Sequence, residues 1–272
     1  MDPRWFQISA LSGLLIYGMG WLSFEIGVAQ AVVTLAAVLL TQCAGTRWAK
    51  LPAFDAKSAL ISGLSLCLLL RTNHLALAAV AGVVTIASKF LLRMNGKHLF
   101  NPTNFGLVAM MLATGGAVWV SPGQWGNVAF FAFLMVCAGG LVVMRAERSD
   151  VTLAFIASWI ALVVGRSLWL GEPLAIPLHR LQSGALLLFT FFMISDPRTT
   201  PDSRTGRIIF AMLVAWGAWY VQFRMFRTNG LLWSLAVFSL CTPMLDWLLP
   251  GGRYRWTSRP LFLFRKPQPA IP

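Results

Sequence analysis

Long uncharged apolar stretches, separated by short polar breaks, set the pattern of this chain. Residues 5–24 and 26–46 carry no Asp, Glu, Lys or Arg, and neither does the run 99–144. A membrane-crossing helix needs roughly 20 mostly apolar residues. The pattern predicts ten spans, at about 6–23, 27–44, 57–70, 75–92, 104–120, 127–144, 151–170, 181–195, 208–223 and 229–249. Ser121-Pro122-Gly123-Gln124-Trp125-Gly126 supplies the turn inside the longest run through its Pro and Gly. The N-terminal run reads as a retained first helix, because further spans follow at once and no clear small-x-small cleavage site appears. The expected fold is an all-α polytopic membrane protein of ten transmembrane helices. It forms a single transmembrane domain over residues 1–250, followed by a basic cytoplasmic tail over 251–272.

Composition narrows the class. The chain is 57% hydrophobic and only 11% charged, against about 25% charged in soluble domains, so an ordinary soluble domain is excluded. Disorder is excluded as well, since it requires low hydrophobicity. The net charge of +13 is nevertheless large. Placed on the ten spans, 17 of the 22 Lys and Arg fall on one side, among them Arg47, Lys97, Arg148 and Arg207. Arg71, Arg166, Arg180, Arg224 and Arg227 fall on the other. The positive-inside rule then puts both termini in the cytoplasm of a multi-pass plasma (inner) membrane protein. Nucleic acid is not an expected partner, because the charges sit in short loops rather than on one folded face. The four cysteines are scattered through apolar stretches, with no spacing that suggests zinc or a disulfide framework, and no metal site is expected. No P-loop, GxSxG, HExxH or GxGxxG pattern points to a hydrolase or nucleotide core.

Two spans are short. Each opens with Ser-Gly (Ser62-Gly63 and Ser183-Gly184) and ends abruptly in polar residues, Arg71-Thr72-Asn73-His74 in one and Ser195-Asp196-Pro197 in the other. Five spans separate them, so they point in opposite directions. Short, interrupted segments at matching places in two halves are the sign of an inverted repeat, with halves of five helices at about 1–125 and 126–250.

Two polar loops carry candidate chemistry. In the first, Asn95 to Asn104, Asn101 followed by Pro102 reads as an N-cap and first-turn proline. With Lys97 nearby, that helix start either holds a phosphate or carboxylate or is simply a capped helix beside a positive-inside loop. The second loop, Ser195 to Arg207, offers Asp196, Thr199, Thr200 and Asp202, with Thr199 to Asp202 at capping-box spacing. It is either a cofactor or ion-path element or a capped, solvated loop. Arg71 either finds a partner within the bilayer or snorkels to the interface.

These loops carry a resemblance. Gly96-Lys97-His98-Leu99-Phe100-Asn101-Pro102 resembles the GK-x-x-x-NP motif of the NQR2/RnfD/RnfE membrane electron-transport family. That family includes RnfD of the Rnf complex and its counterpart in the sodium-translocating NADH:quinone oxidoreductase. Phe191-Phe192-Met193-Ile194-Ser195-Asp196-Pro197, with Thr199, Thr200 and Pro201, is similar to the family's FMATDP motif and the turn after it. The resemblance runs through spans three to ten and is strongest to short stand-alone members, such as those of enediyne biosynthesis clusters. It implies two inverted five-helix halves and flavin chemistry, with FMN attached to a threonine of an S-G-A-T motif. That place falls near residues 119–126 here, and no S-G-A-T occurs anywhere in the chain. A covalent FMN is therefore not expected, which leaves a non-covalent flavin, FMN or riboflavin.

Two functions stay open at this stage. One is a redox-linked electron/ion transport subunit, non-catalytic or flavin-binding, working with other membrane redox subunits or a flavoprotein or ferredoxin-like donor. The other is a redox-independent channel or transporter of a small solute or ion. On the first reading the cofactor-binding residues are Lys97, His98, Asn101 and Asn104 on one side and Asp196, Thr199 and Thr200 on the other.

Overall fold

A hydrophobic core with buried polar positions in it is surrounded by many exposed large apolar side chains. The computed structural model describes residues 2–22, 25–121, 140 and 148–254. The predicted sixth span, most of the turn before it, and the tail from residue 255 lie outside the described residues. On α2 (Val28–Trp48), Gln30, Thr34, Gln42 and Thr46 are buried at four- and eight-residue steps, while Val28, Val32, Leu40 and Trp48 face out. Residues four apart share a helix face, so this helix turns a polar stripe inward and an apolar one outward. Such a distribution suits a lipid surround.

The first helix, α1 (Pro3–Gly20), is capped by Asp2, whose side chain accepts from the Arg4 amide. It packs on α3 (Ala56–Leu69). α3 begins at the Asp55 cap, so Ser62-Gly63 lies inside this helix and does not open it, whereas Ser183 does stand at the start of its helix. α3 stops at Leu70 and continues as strand β1 (Leu70–Thr72), fully buried and paired antiparallel with β4 (Val118–Val120). Non-helical backbone at membrane depth is tolerated only where protein covers it, and β1 is buried at all three residues and paired along one edge.

After α4 (Leu75–Leu91), a hairpin of β2 (Arg93–Met94) and β3 (Lys97–His98) turns at Asn95 and Gly96, both at positive φ. An Asn-Gly pair suits that turn. α5 (Pro102–Thr114) is shorter than the predicted span, because Gly115 and Gly116 adopt positive φ and end it before β4. α6 (Ser149–Leu170) leads to the short α7 (Ala175–Leu181). α8 (Gly184–Leu188) then runs directly into a π-turn, Phe189–Met193. α9 (Arg204–Phe223) starts at Ser203, which accepts from the Gly206 amide, so the predicted capping role of Thr199 is not used. The last predicted span is bent by 49° between α10 (Gly230–Ser239) and α11 (Thr242–Leu248). Pro243, in the first turn of α11, cannot continue an unbroken helix.

Among the described residues, α2, α6 and α9 are each long and apolar enough to cross a membrane, and the bent α10–α11 pair makes a fourth. α3, α4 and α8 with its π-turn are shorter apolar helices. α2 packs on α4 and α4 on α5, and likewise α6 packs on α9 and α9 on α10. Glycines allow the close approaches. A Cβ on Gly106 would collide with Thr85 of α4, and one on Gly230 would lie 2.6 Å from the Ala218 carbonyl oxygen of α9.

Candidate functional site

The broken segment α3–β1 ends on a buried guanidinium. Arg71 is 1% exposed. It donates through Nη1 to the Cys67 and Leu70 carbonyls (3.1 and 2.8 Å) and through Nη2 to the Leu68 carbonyl (3.1 Å). The last carbonyls of a helix lack intrahelical partners and carry partial negative charge. A tethered cation satisfies both needs, so Arg71 is a buried cap and does not snorkel.

At the other end of α3 lies a polar cavity of about 70 Å³. It is bounded by the start of α3, the end of α4, the start of α5 and the loop after the π-turn. The two sequence motifs meet on its wall. Asn101 caps α5 by accepting from the Asn104 amide (3.1 Å), and its Nδ2 donates to the Met193 carbonyl (3.3 Å) and to Asp196 Oδ2 (3.4 Å). Asp196 Oδ1 accepts from the Arg198 amide (3.0 Å). His98 also lines the cavity. Three of the predicted site residues, His98, Asn101 and Asp196, are thus brought together.

The other four are engaged elsewhere. Lys97 Nζ does not line the cavity. It joins three groups outside it, the Thr200 carbonyl (2.9 Å), Asp202 (3.0 Å) and Asp246 (2.8 Å). Asp246 also accepts from the Asp202 amide (2.7 Å), so Lys97 and Asp246 staple the hairpin, the second loop and α11 together. Asn104, fully buried, donates to the Leu232 carbonyl of α10 (3.2 Å). Thr199 and Thr200 are buried and return their hydroxyls to the Asp196 carbonyl (3.3 and 3.1 Å), and the Thr200 hydroxyl accepts from Arg148 Nε (3.2 Å).

Sequence reasoning missed Lys89, Asp55 and Ser58. Lys89, in the last turn of α4, is 5% exposed and lines the cavity. Its Nζ donates to Ser58 Oγ (2.7 Å) and Gln42 Oε1 (3.0 Å). Its place before Arg93 and Lys97 groups it with the loop charges, yet Ala78, Gly82, Thr85 and Lys89 continue one buried face at helical spacing. That register was the available signal. Asp55 accepts from Arg4 Nη1 through both oxygens (2.9 Å each) and from the Ser58 amide (3.2 Å).

Burial governs the titration of this wall. Burial, followed by the charges of Lys89, Arg198 and Arg93, pushes the His98 imidazole down from 6.5 to about 3, although a hydrogen bond with the Lys89 backbone pulls the other way. His98 is therefore neutral at physiological pH. Burial raises Asp196 above the ordinary carboxylate range, opposed by the Arg198 amide and by the charges of Arg198, Lys89 and Arg148.

A second cavity of about 450 Å³ lies toward the far end of α3. Leu69, Val120 and Phe189 give it apolar walls, and Gln222, Arg227 and Asn229 give it polar ones. Met193 lines both cavities and so stands between them.

Apolar helices facing outward, buried polar stripes and a helix broken into paired backbone define an integral membrane protein built of helices. The chain belongs to the NQR2, RnfD, RnfE family, whose model matches residues 116–254. Among relatives, it is 28% identical over 151 residues to the D subunit of the ion-translocating oxidoreductase complex of Erwinia tasmaniensis, covering 55% of this chain and 38% of that protein. To the protein of the same name from Escherichia coli it is 29% identical over 134 residues, covering 48% of this chain and 35% of that protein. The matched part therefore spans less than two fifths of either relative's length.

Proposed function

We propose that this protein is an integral membrane subunit of a redox-linked electron/ion transport system resembling RnfD, carrying a flavin without a covalent bond. The observation that carries this reading is the meeting of the two family motifs. Asn101 of the first holds both the Met193 carbonyl and the Asp196 carboxylate of the second, beside a polar cavity. We assign His98, Asn101 and Asp196 to the mouth of the path, and Lys97, Asn104, Thr199 and Thr200 to bracing it.

The larger cavity is the one with room for a flavin, since small-molecule sites run from roughly 300 to 1,000 Å³ and this one is about 450 Å³. Leu69, Val120 and Phe189 suit the faces of a tricyclic ring, and the Gln222 and Asn229 amides suit its polar edge. When bound, the flavin would supply one- and two-electron redox chemistry. The protein's part is to hold the ring dry and oriented. Ser121, whose amide donates to the Leu69 carbonyl (2.9 Å), ties the stretch where the family carries its flavin threonine to the end of α3, next to this cavity.

Other features support ten crossings, two inverted halves and cytoplasmic termini. Arg4, Lys89 and Arg198, all assigned to one side by charge, gather with Asn101 at one cavity, while Ser183, Arg227 and Asn229 gather at the other. The helix contacts α2–α4–α5 and α6–α9–α10 match in order. Complex partners would be other membrane redox subunits and a flavoprotein or ferredoxin-like donor. In the test, a reduced ferredoxin is added to the purified protein with bound flavin. Bleaching of the flavin absorbance supports the redox role, and no bleaching under anaerobic conditions argues against it.

The redox-independent transporter is the second reading. Met193 favours it, because this one side chain lines both cavities and separates them. Solute uptake into proteoliposomes with no electron donor would distinguish it.

A further inference from the structure

Among the described residues, several partly buried cations have a carboxylate. Arg4 pairs with Asp2 and Asp55, Lys97 with Asp202 and Asp246, Arg166 with Glu172 and Arg207 with Asp150. Lys89 is different. It is only 5% exposed, and among the described residues its ammonium makes two hydrogen bonds, both to neutral oxygens. An ammonium has three donors, which leaves one for the cavity that Lys89 lines. Arg198, exposed at the rim of the same cavity, likewise has no ion pair among the described residues.

The carboxylates of the wall are already engaged. Both oxygens of Asp55 take Arg4, and the two oxygens of Asp196 take the Arg198 amide and the Asn101 amide group. Counted with their direct ion-pair partners, the lining cations Arg4, Lys89 and Arg198 and the adjoining Lys57 face three carboxylates, Asp2, Asp55 and Asp196, with His98 neutral. One positive charge is left over. Burying a charge without a partner is costly, and a bound monoanion removes that cost. The cavity, at about 70 Å³, exceeds the roughly 10–15 Å³ that admits a single water, and suits an anion of a few heavy atoms.

We propose that the polar cavity is a binding site for a small monovalent oxyanion, with Lys89 as its counter-charge and Arg198 at its entrance. The site concerns the same cavity as the functional reading above but does not depend on a flavin. Its test reads anions, so the two ideas can fail separately.

The probe is formate, added to the purified full chain in uncharged detergent at constant ionic strength with gluconate as the bulky reference anion. Formate should raise the thermal midpoint saturably, as a ligand of the folded state does. Lys89→Gln should weaken its apparent affinity by about tenfold or more, the loss of one charge-assisted contact. Lys89→Arg and the exposed-cation control Arg93→Gln should keep the response. If Lys89→Gln does not fold, the wild-type protein still decides. The ¹³C-formate resonance should broaden on binding and sharpen again with nitrate but not with gluconate. The proposal is overturned if wild-type protein shows no saturable formate response, or if Lys89→Gln responds undiminished, which would assign the binding to surface cations.

Discussion

His98 shows how one residue reads its surroundings. The hairpin places its ring against the end of α4, where burial and then the Lys89 ammonium disfavour the imidazolium and hold its pKa at about 3. The unfolded chain takes up that proton near pH 6.5, so the folded state binds fewer protons between the two values. The stability contributed by neutral His98 is therefore fully present above about pH 6.5 and is lost as the pH falls toward about 3. Thermal midpoints in detergent should drop by several degrees across that window, and His98→Asn should flatten the drop. An equally steep fall in the variant would remove His98 from the account. Asn101 was legible from sequence because capping is local: an Asn before a Pro carries its own geometry. Lys89 was not legible as a cavity residue, because its partners Gln42 and Ser58 are 47 and 31 residues away.

At the scale of elements, glycine-mediated contacts hold the two helix pairs on which the cavities depend. Gly230 begins α10 against the backbone of α9, and the Ala218 carbonyl oxygen, 2.6 Å from where a Cβ would stand, cannot rotate away as a side chain would. Gly230→Ala should destabilise the protein by about 1–3 kcal/mol, the range for overpacking. Gly165→Ala on α6 meets nothing within 4 Å and should be neutral or slightly stabilising, since Ala is the better helix former. Denaturant midpoints of the two variants check the contrast, and equal midpoints would contradict the close packing. The short helices were visible in the hydrophobic pattern, but their ends were not. α5 stops early because two consecutive glycines adopt positive φ, and α3 ends in a strand whose partner lies 46 or more residues on. α9 starts at Ser203, whose hydroxyl accepts from the Gly206 amide, while the Thr199 hydroxyl donates to the Asp196 carbonyl. Pairing between distant segments leaves little trace in local composition.

At the scale of the whole molecule, the excess positive charge gains a structural meaning. Most of the basic residues that line or brace the polar cavity are held by carboxylates or carbonyls, and the surplus narrows to Lys89 and Arg198. The family motifs were readable because they are contiguous in sequence; the cavity they form was not, since it takes side chains from α3, α4, α5 and the loop after the π-turn. The two cavities, separated by Met193, give the redox reading its place for a flavin and the transport reading its path. The most direct test is the visible absorption of the detergent-purified chain before and after acid denaturation and filtration. The expected result is a flavin spectrum that is bleached by dithionite and passes wholly into the filtrate on denaturation. A colourless protein after expression with ample riboflavin, or a flavin that stays with the denatured chain, would contradict it.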